Sequence, residues 1–156
     1  WEAAGFRAGA MHHNLEWIQD LNILYDASTF DVDPFEPQPD GMGTIYPFVF
    51  KSSVSGKSFV ELPYTLPQDF TLFVVMRQKN AHIWKAKLDW IAARGGMALL
   101  ITHPDYMNFE RGRLAMDEYR ALFYSDFLAY VKHRYEGLFW NALPSEIAAH
   151  VMSNRF

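Results

Sequence analysis

The sequence predicts an α/β fold, and three observations predict it. Ile83, Trp84, Leu88, Ile91 and Ala92 form an apolar stripe at helical spacing, and Gly95 and Gly96 follow where a left-handed helix end would sit. MALLITH, Met97 to His103, comes next as a continuous apolar run of strand length, the pattern of a parallel strand covered on both faces. Upstream, YPFVF at Tyr46 to Phe50 and SFVELP at Ser58 to Pro63 are β-branched and aromatic strings around a turn containing Gly56, so strands and helices share one chain.

From the N-terminal end, Leu15, Ile18 and Leu21 fall at steps of three, which predicts a short helix between Met11 and Leu21. ILYDAS, Ile23 to Ser28, reads as a strand leading into a loop. That loop, FDVDPFEPQPDGMG, holds Pro34, Pro37, Pro39, Gly41 and Gly43, too many breakers for a regular element. The strings around Gly56 read as a hairpin-like excursion, and TLFVVM, Thr71 to Met76, is ambiguous by periodicity. A helix is predicted over Ala81 to Arg94, and a long aromatic-striped one over Leu114 to Tyr135 through Tyr119, Leu122, Phe123, Phe127, Tyr130 and Val131. LFWNAL, Leu138 to Leu143, is strand-like, and Pro144 stands where a short helix over Ser145 to Met152 would begin. No repeat, low-complexity run or linker divides the 156 residues, so one domain or one large piece of one is expected.

Composition narrows the function classes. Half of the residues are hydrophobic, enough for a real core, and 17% are aromatic, for which packing is the first explanation and sugar stacking the second. A net charge of −4 without a run of Lys or Arg offers no footprint for nucleic acid. No stretch of about 18 apolar residues exists, so no membrane span is expected. The absence of cysteine excludes disulfides and thiolate metal sites, leaving His and carboxylates as the only ligands for zinc. The chain opens WEAAGFRAG, with neither an initiator Met nor a signal pattern, so upstream sequence is expected and localisation stays open between cytoplasm and cell envelope.

Several strings stand in an order that carries a resemblance. GFRAGAMHHN (Gly5 to Asn14), LYDASTFDVDP (Leu24 to Pro34) and LLITHPDY (Leu99 to Tyr106) are similar to the third, fourth and fifth motifs of the polysaccharide deacetylase family, also called carbohydrate esterase family four or the NodB homology domain. VELPYTLPQDF (Val60 to Phe70) and FWNALPSEIA (Phe139 to Ala148) resemble segments of its allantoinase-like branch. The resemblance covers nearly the whole chain and implies its C-terminal half: a partial, distorted NodB-like (β/α) barrel with an inserted β excursion. It implies a hydrolase of non-peptide C–N bonds acting on N-acetylated sugars of a polysaccharide, or on small cyclic amides in the allantoinase-like branch. It also implies zinc or another divalent metal, held by an Asp-Asp string and a His-x-x-x-His string that this sequence lacks. His12 and His13 are adjacent and would diverge by about 100° on a helix. The metal ligands and the catalytic base are therefore expected outside this chain.

Carried over residue by residue, the resemblance makes His103 the general acid that protonates the leaving amine, a role suited to an imidazole. Arg7 would orient the base, although Gly9 stands where the family has Pro. Asp26, Asp31 or Asp33 would be the acid paired with His103; Asp26, at a strand end, is the foremost of the three, and Pro34 and Phe35 replace the family's Trp. His12, His13, Asp105 and Tyr106 would line the substrate side. His82, His133 and His150 are expected on helix surfaces, and Trp84, Trp90, Tyr119, Phe123 and Phe127 in a packed core. Two other readings stand beside the enzyme: a non-catalytic carbohydrate-binding or structural remnant of the fold, and self-association through a sheet edge left open.

Overall fold

The computed structural model describes residues 2–33, 40–110 and 112–154. Pro34, Phe35, Pro37 and Pro39 of the acidic loop lie outside the described residues. The strands are β1 (Gly5–Phe6), β2 (Tyr25–Asp26), β3 (Phe48–Lys51), β4 (Ser58–Glu61), β5 (Met107–Asn108) and β6 (Tyr119–Arg120). The α-helices are α1 (Leu15–Ile18), α2 (His82–Ala92), α3 (Leu122–Tyr135) and α4 (Pro144–Ser153). The fold is mixed α/β, and the chain divides into two compact units, Trp1–Thr65 with Asn141–Phe156, and Leu66–Trp140.

The first unit is built on a four-stranded sheet in the order β1-β2-β4-β3. β1, β2 and β4 run parallel, with Gly5 opposite Tyr25, and Tyr25 opposite Val60. The crossover from β1 to β2 carries the short helix that the spacing predicts, in broken form. Ala10 and Met11 have φ near +50° to +56°, and α1 follows with Asn14 as its cap, Oδ1 accepting from the Trp17 N–H at 3.3 Å. Asn22, with φ of 55°, ends the helical stretch in the left-handed region. Ile18 is buried, whereas Leu21 is exposed, so the apolar face is narrower than its spacing suggests.

β3 and β4 pair antiparallel, Phe48 opposite Glu61 and Lys51 opposite Ser58, as the hairpin reading expects. Ser52 Oγ accepts from the N–H groups of Val54 and Ser55, and Gly56 supplies the positive φ of the turn. The hairpin is no excursion, however, because β4 also pairs with β2 and lies inside the sheet. α4 packs against β2, β3 and β4, with Ala148 buried at the contact. Pro144 occupies its first turn, and Glu146 Oε2 accepts from the Leu143 N–H at 2.7 Å.

Asp26 and Glu61 are register partners on adjacent parallel strands, and neither is reached by solvent. Glu61 Oε1 accepts from Thr29 Oγ1 at 2.6 Å and Thr29 N at 3.1 Å, while Oε2 is buried with no hydrogen-bond partner among the described residues. Burial first, and the charge of Asp26 second, push the Glu61 carboxyl up to about 8, so at neutral pH it is protonated. Asp26 itself accepts from Ser28 N at 3.0 Å and Ser28 Oγ at 2.8 Å.

In the second unit the ambiguous Thr71 to Met76 string is a π-helix, Phe70–Val75, with Asp69 at its cap. α2 matches the predicted helix and ends before Gly95, whose φ is +64°. MALLITH is not a strand covered on both faces. It makes one parallel bridge, Leu66 to Leu100, and of its residues only Ile101 is buried. An apolar run records hydrophobicity without recording how many neighbours will pair with it.

The long helix predicted from Leu114 starts instead at Leu122, because Tyr119 and Arg120 pair with Met107 and Asn108 as β6 and β5. The strand-like LFWNAL forms no strand, and Leu138, Phe139, Trp140 and Leu143 are exposed. The core of this unit is aromatic. Phe73 meets Trp84 edge to face at 4.9 Å and Tyr119 at 4.6 Å, and Trp84 meets Phe127 at 5.2 Å. Trp84 Nε1 donates to the Pro67 carbonyl at 2.6 Å, which satisfies its one buried polar atom. Trp90 departs from the expected core: it is 42% exposed, with Lys87 and Arg94 over its ring. His82, His133 and His150 are exposed, as their helical positions predict. Among the described residues no helix is long and apolar enough to cross a membrane.

The Asp26–Glu61 pair gives the fold a pH dependence with a definite sign. The folded chain holds a proton on Glu61 that the unfolded chain releases above its ordinary value of 4.5, so unfolding free energy falls as pH rises from 4.5 to about 8 and then levels off. Glu61→Gln keeps an acceptor for Thr29 and places an N–H donor toward Asp26. In urea titrations from pH 5 to pH 9 the variant is expected to lose most of this slope and to be more stable than the parent at pH 9.

Candidate functional site

In the second unit a carboxylate, an imidazole and a phenol converge. Asp69 precedes the π-helix, and its carboxylate accepts from four N–H or O–H groups. Oδ1 takes Phe70 N at 2.8 Å and His103 Nδ1 at 2.7 Å, while Oδ2 takes His103 N at 2.7 Å and Tyr119 Oη at 2.9 Å. Asp69 is wholly buried, and an ionised carboxylate survives there only because donors surround it.

Each partner comes from a different local structure. Asp69 is placed by the cap of the π-helix, and its own backbone N–H donates to the Ile101 carbonyl at 3.4 Å. His103 ends the extended segment that bridges to Leu66, and Pro104 starts a single 3-10 turn, Pro104–Tyr106, immediately after it. Tyr119 belongs to β6 and is packed among Phe73 and Phe123. Burial first, and the Asp69 charge second, push the Tyr119 hydroxyl far up, so it remains a donor at any working pH.

The consequence for His103 is a fixed tautomer. An ionised Asp69 only accepts, so the Nδ1 position carries a hydrogen and Nε2 is the nitrogen left for other chemistry. The imidazole is 38% exposed while its carboxylate is fully covered. A buried acid orienting an accessible histidine is the geometry of general acid–base catalysis. The Tyr106 ring lies against the imidazole, centroids 5.4 Å apart, and the Phe70 ring lies 5.0 Å from that of Tyr106. Asp105 is exposed beside them.

The other residues marked by the sequence have different surroundings. The acid on His103 is Asp69, in place of the expected Asp26, Asp31 or Asp33. Those three belong to the first unit and are buried there: Asp26 against Glu61 and Ser28, and Asp33 accepting from Tyr64 Oη at 2.9 Å. Arg7, also in the first unit, is exposed, with Nη2 3.8 Å from Met11 Sδ. His12 is exposed. The His13 side chain is nearly covered, Nδ1 3.0 Å from the Met11 carbonyl and Nε2 3.4 Å from Asp40 Oδ2. Asp69 lies inside VELPYTLPQDF, and one local signal marks it: an Asp directly before an apolar run, where a helix cap is expected.

Among the described residues no three His, Asp or Glu side chains converge as metal ligands.

The dyad has a stability signature independent of any reaction. Asp69→Asn replaces one acceptor oxygen with a donor facing N–H and O–H groups, and is expected to cost about 2–4 kcal/mol in chemical denaturation. Tyr119→Phe removes one of the four donors and is expected to cost about 1–2 kcal/mol.

The chain matches no protein-family model, no curated protein and no solved structure in comparisons with each.

Proposed function

We propose that this chain carries the proton-donating half of a hydrolase that cleaves non-peptide C–N bonds, with N-acetylated sugars of a polysaccharide as the substrate class. The observation that carries the reading is the 2.7 Å contact between buried Asp69 and Nδ1 of accessible His103. Asp69 holds the ring and balances the positive charge of its protonated form. Nε2–H then points to the leaving nitrogen; as the C–N bond breaks, that proton passes to the amine and neutral imidazole remains, its Nδ1–H still on Asp69. This agrees in kind with the role that the resemblance assigns to His103, with Asp69 as its acid. The parallel run β1-β2-β4, joined by a helical crossover, supports a NodB-like β/α architecture in the same way. Zinc or another divalent metal is part of this reading through the resemblance alone.

Asp26 is not retained as a catalytic group in this reading. It is sealed in a polar cluster with Glu61, Ser28 and Thr29, and its oxygens are engaged by Ser28. Asp105, in the same unit as His103 and exposed beside it, keeps the rim role that the resemblance gives it. The allantoinase-like alternative uses the same proton donor on a smaller amide.

Acetate release from N-acetylated chitooligosaccharides, measured with zinc in the protein that carries this chain, tests the reading. His103→Ala is expected to lower kcat by about 10²–10⁴-fold with bound zinc unchanged. Asp69→Asn, checked for folding by circular dichroism, is expected to lower kcat with little change in KM. Full turnover in His103→Ala would remove the assignment.

A further inference from the structure

Phe70 occupies an unusual place. It follows the fully buried Asp69 and precedes Thr71, Leu72, Phe73 and Val74, all buried, yet it is itself 37% exposed. The cap bond from its N–H to Asp69 Oδ1 ties its backbone to the carboxylate that also orients His103. Tyr106 is held similarly. The 3-10 turn Pro104–Tyr106 returns its N–H to the His103 carbonyl at 3.2 Å and sets its ring between the imidazole and Phe70. The three rings form a continuous aromatic wall, with the accessible imidazole at one end and an exposed phenyl at the other.

We propose that Phe70 and Tyr106 form a ring-binding subsite beside His103 that takes the apolar face of a neutral pyranose. The subsite rests on the reading of His103 as the proton donor, since it places a sugar ring against the residue that would serve the amide. Its chemistry is that of sugar recognition. Axial C–H groups of a pyranose pack on an aromatic face, and the ring hydroxyls need polar partners at the rim. The Tyr106 hydroxyl has no hydrogen-bond partner among the described residues, and the Asp105 carboxylate is exposed one residue away. The Phe70 and Tyr106 rings are inclined by 39°, which makes a shallow angled shelf suited to a puckered ring rather than a slot that sandwiches a planar one. The turn itself brings an acid and no cation, so an anionic ring gains nothing there.

Titration of the chain with N,N′,N″-triacetylchitotriose, followed by aromatic ¹H–¹³C NMR, reads the subsite directly. The Phe70 and Tyr106 ring signals are expected to shift with the sugar, Phe70→Ala to weaken its Kd by about tenfold, and Phe70→Tyr to restore it. Allantoin is expected to leave both rings unmoved. Turnover and sugar Kd are read separately, so a failure of the proton-donor reading, seen as turnover, is separable from a failure of the subsite, seen as binding. No sugar-dependent shift in the parent chain, an unchanged Kd in a folded Phe70→Ala, or allantoin binding to the same rings in place of the sugar would each overturn the proposal.

Discussion

The second unit depends on one buried charge. Asp69 is cut off from water, and burying a lone carboxylate would cost several kcal/mol, so its four donors are a condition of folding rather than an addition to it. Those donors come from the start of the π-helix, both polar hydrogens of His103 on that side, and Tyr119 of β6. Satisfying the charge therefore fixes three separate stretches of chain. Because Tyr119 is also packed on Phe73, which meets Trp84, the same residue ties the dyad to the aromatic core. An imidazole held this way has little freedom to lose when it acts, which is the form of preorganisation that acid–base chemistry uses.

The first unit meets the same problem by the opposite device. Asp26 and Glu61 are brought face to face by strand register, and two ionised carboxylates in that position would repel strongly. Protonation of Glu61 resolves the conflict, with Ser28 and Thr29 supplying the remaining donors. Two buried aspartates thus have different chemical identities. Asp69 orients a solvent-reached histidine; Asp26 is a fastening between strands. Asp26 ends β2, whereas Asp69 caps the π-helix.

Elements carried by local chemistry were legible in the sequence. The α2 stripe with its glycine end, the β3–β4 hairpin around Gly56, and the proline-started α4 each rest on contacts within a few residues, so their signals are written in neighbouring letters. Elements that depend on a distant partner were not. MALLITH and LFWNAL are apolar enough for strands, but a strand needs a neighbour, and the first finds one bridge while the second finds none among the described residues. Tyr119 reads as the inner face of a helix until β5 claims it. Trp90 has helical spacing in its favour, yet it faces outward with two cations over it.

For the candidate site, local sequence is enough to put His103 at the end of an apolar segment, before a proline turn that brings Asp105 and Tyr106 alongside it. Those are neighbours along the chain, and chain connectivity alone keeps them together. Only the tertiary structure decided which acid serves that histidine. Asp69 lies 34 residues away and Tyr119 lies 50 residues from Asp69, and no periodicity spans such distances. What selects Asp69 is the energetic demand of its own burial, which is met where the π-helix cap, the segment ending at His103 and β6 come together.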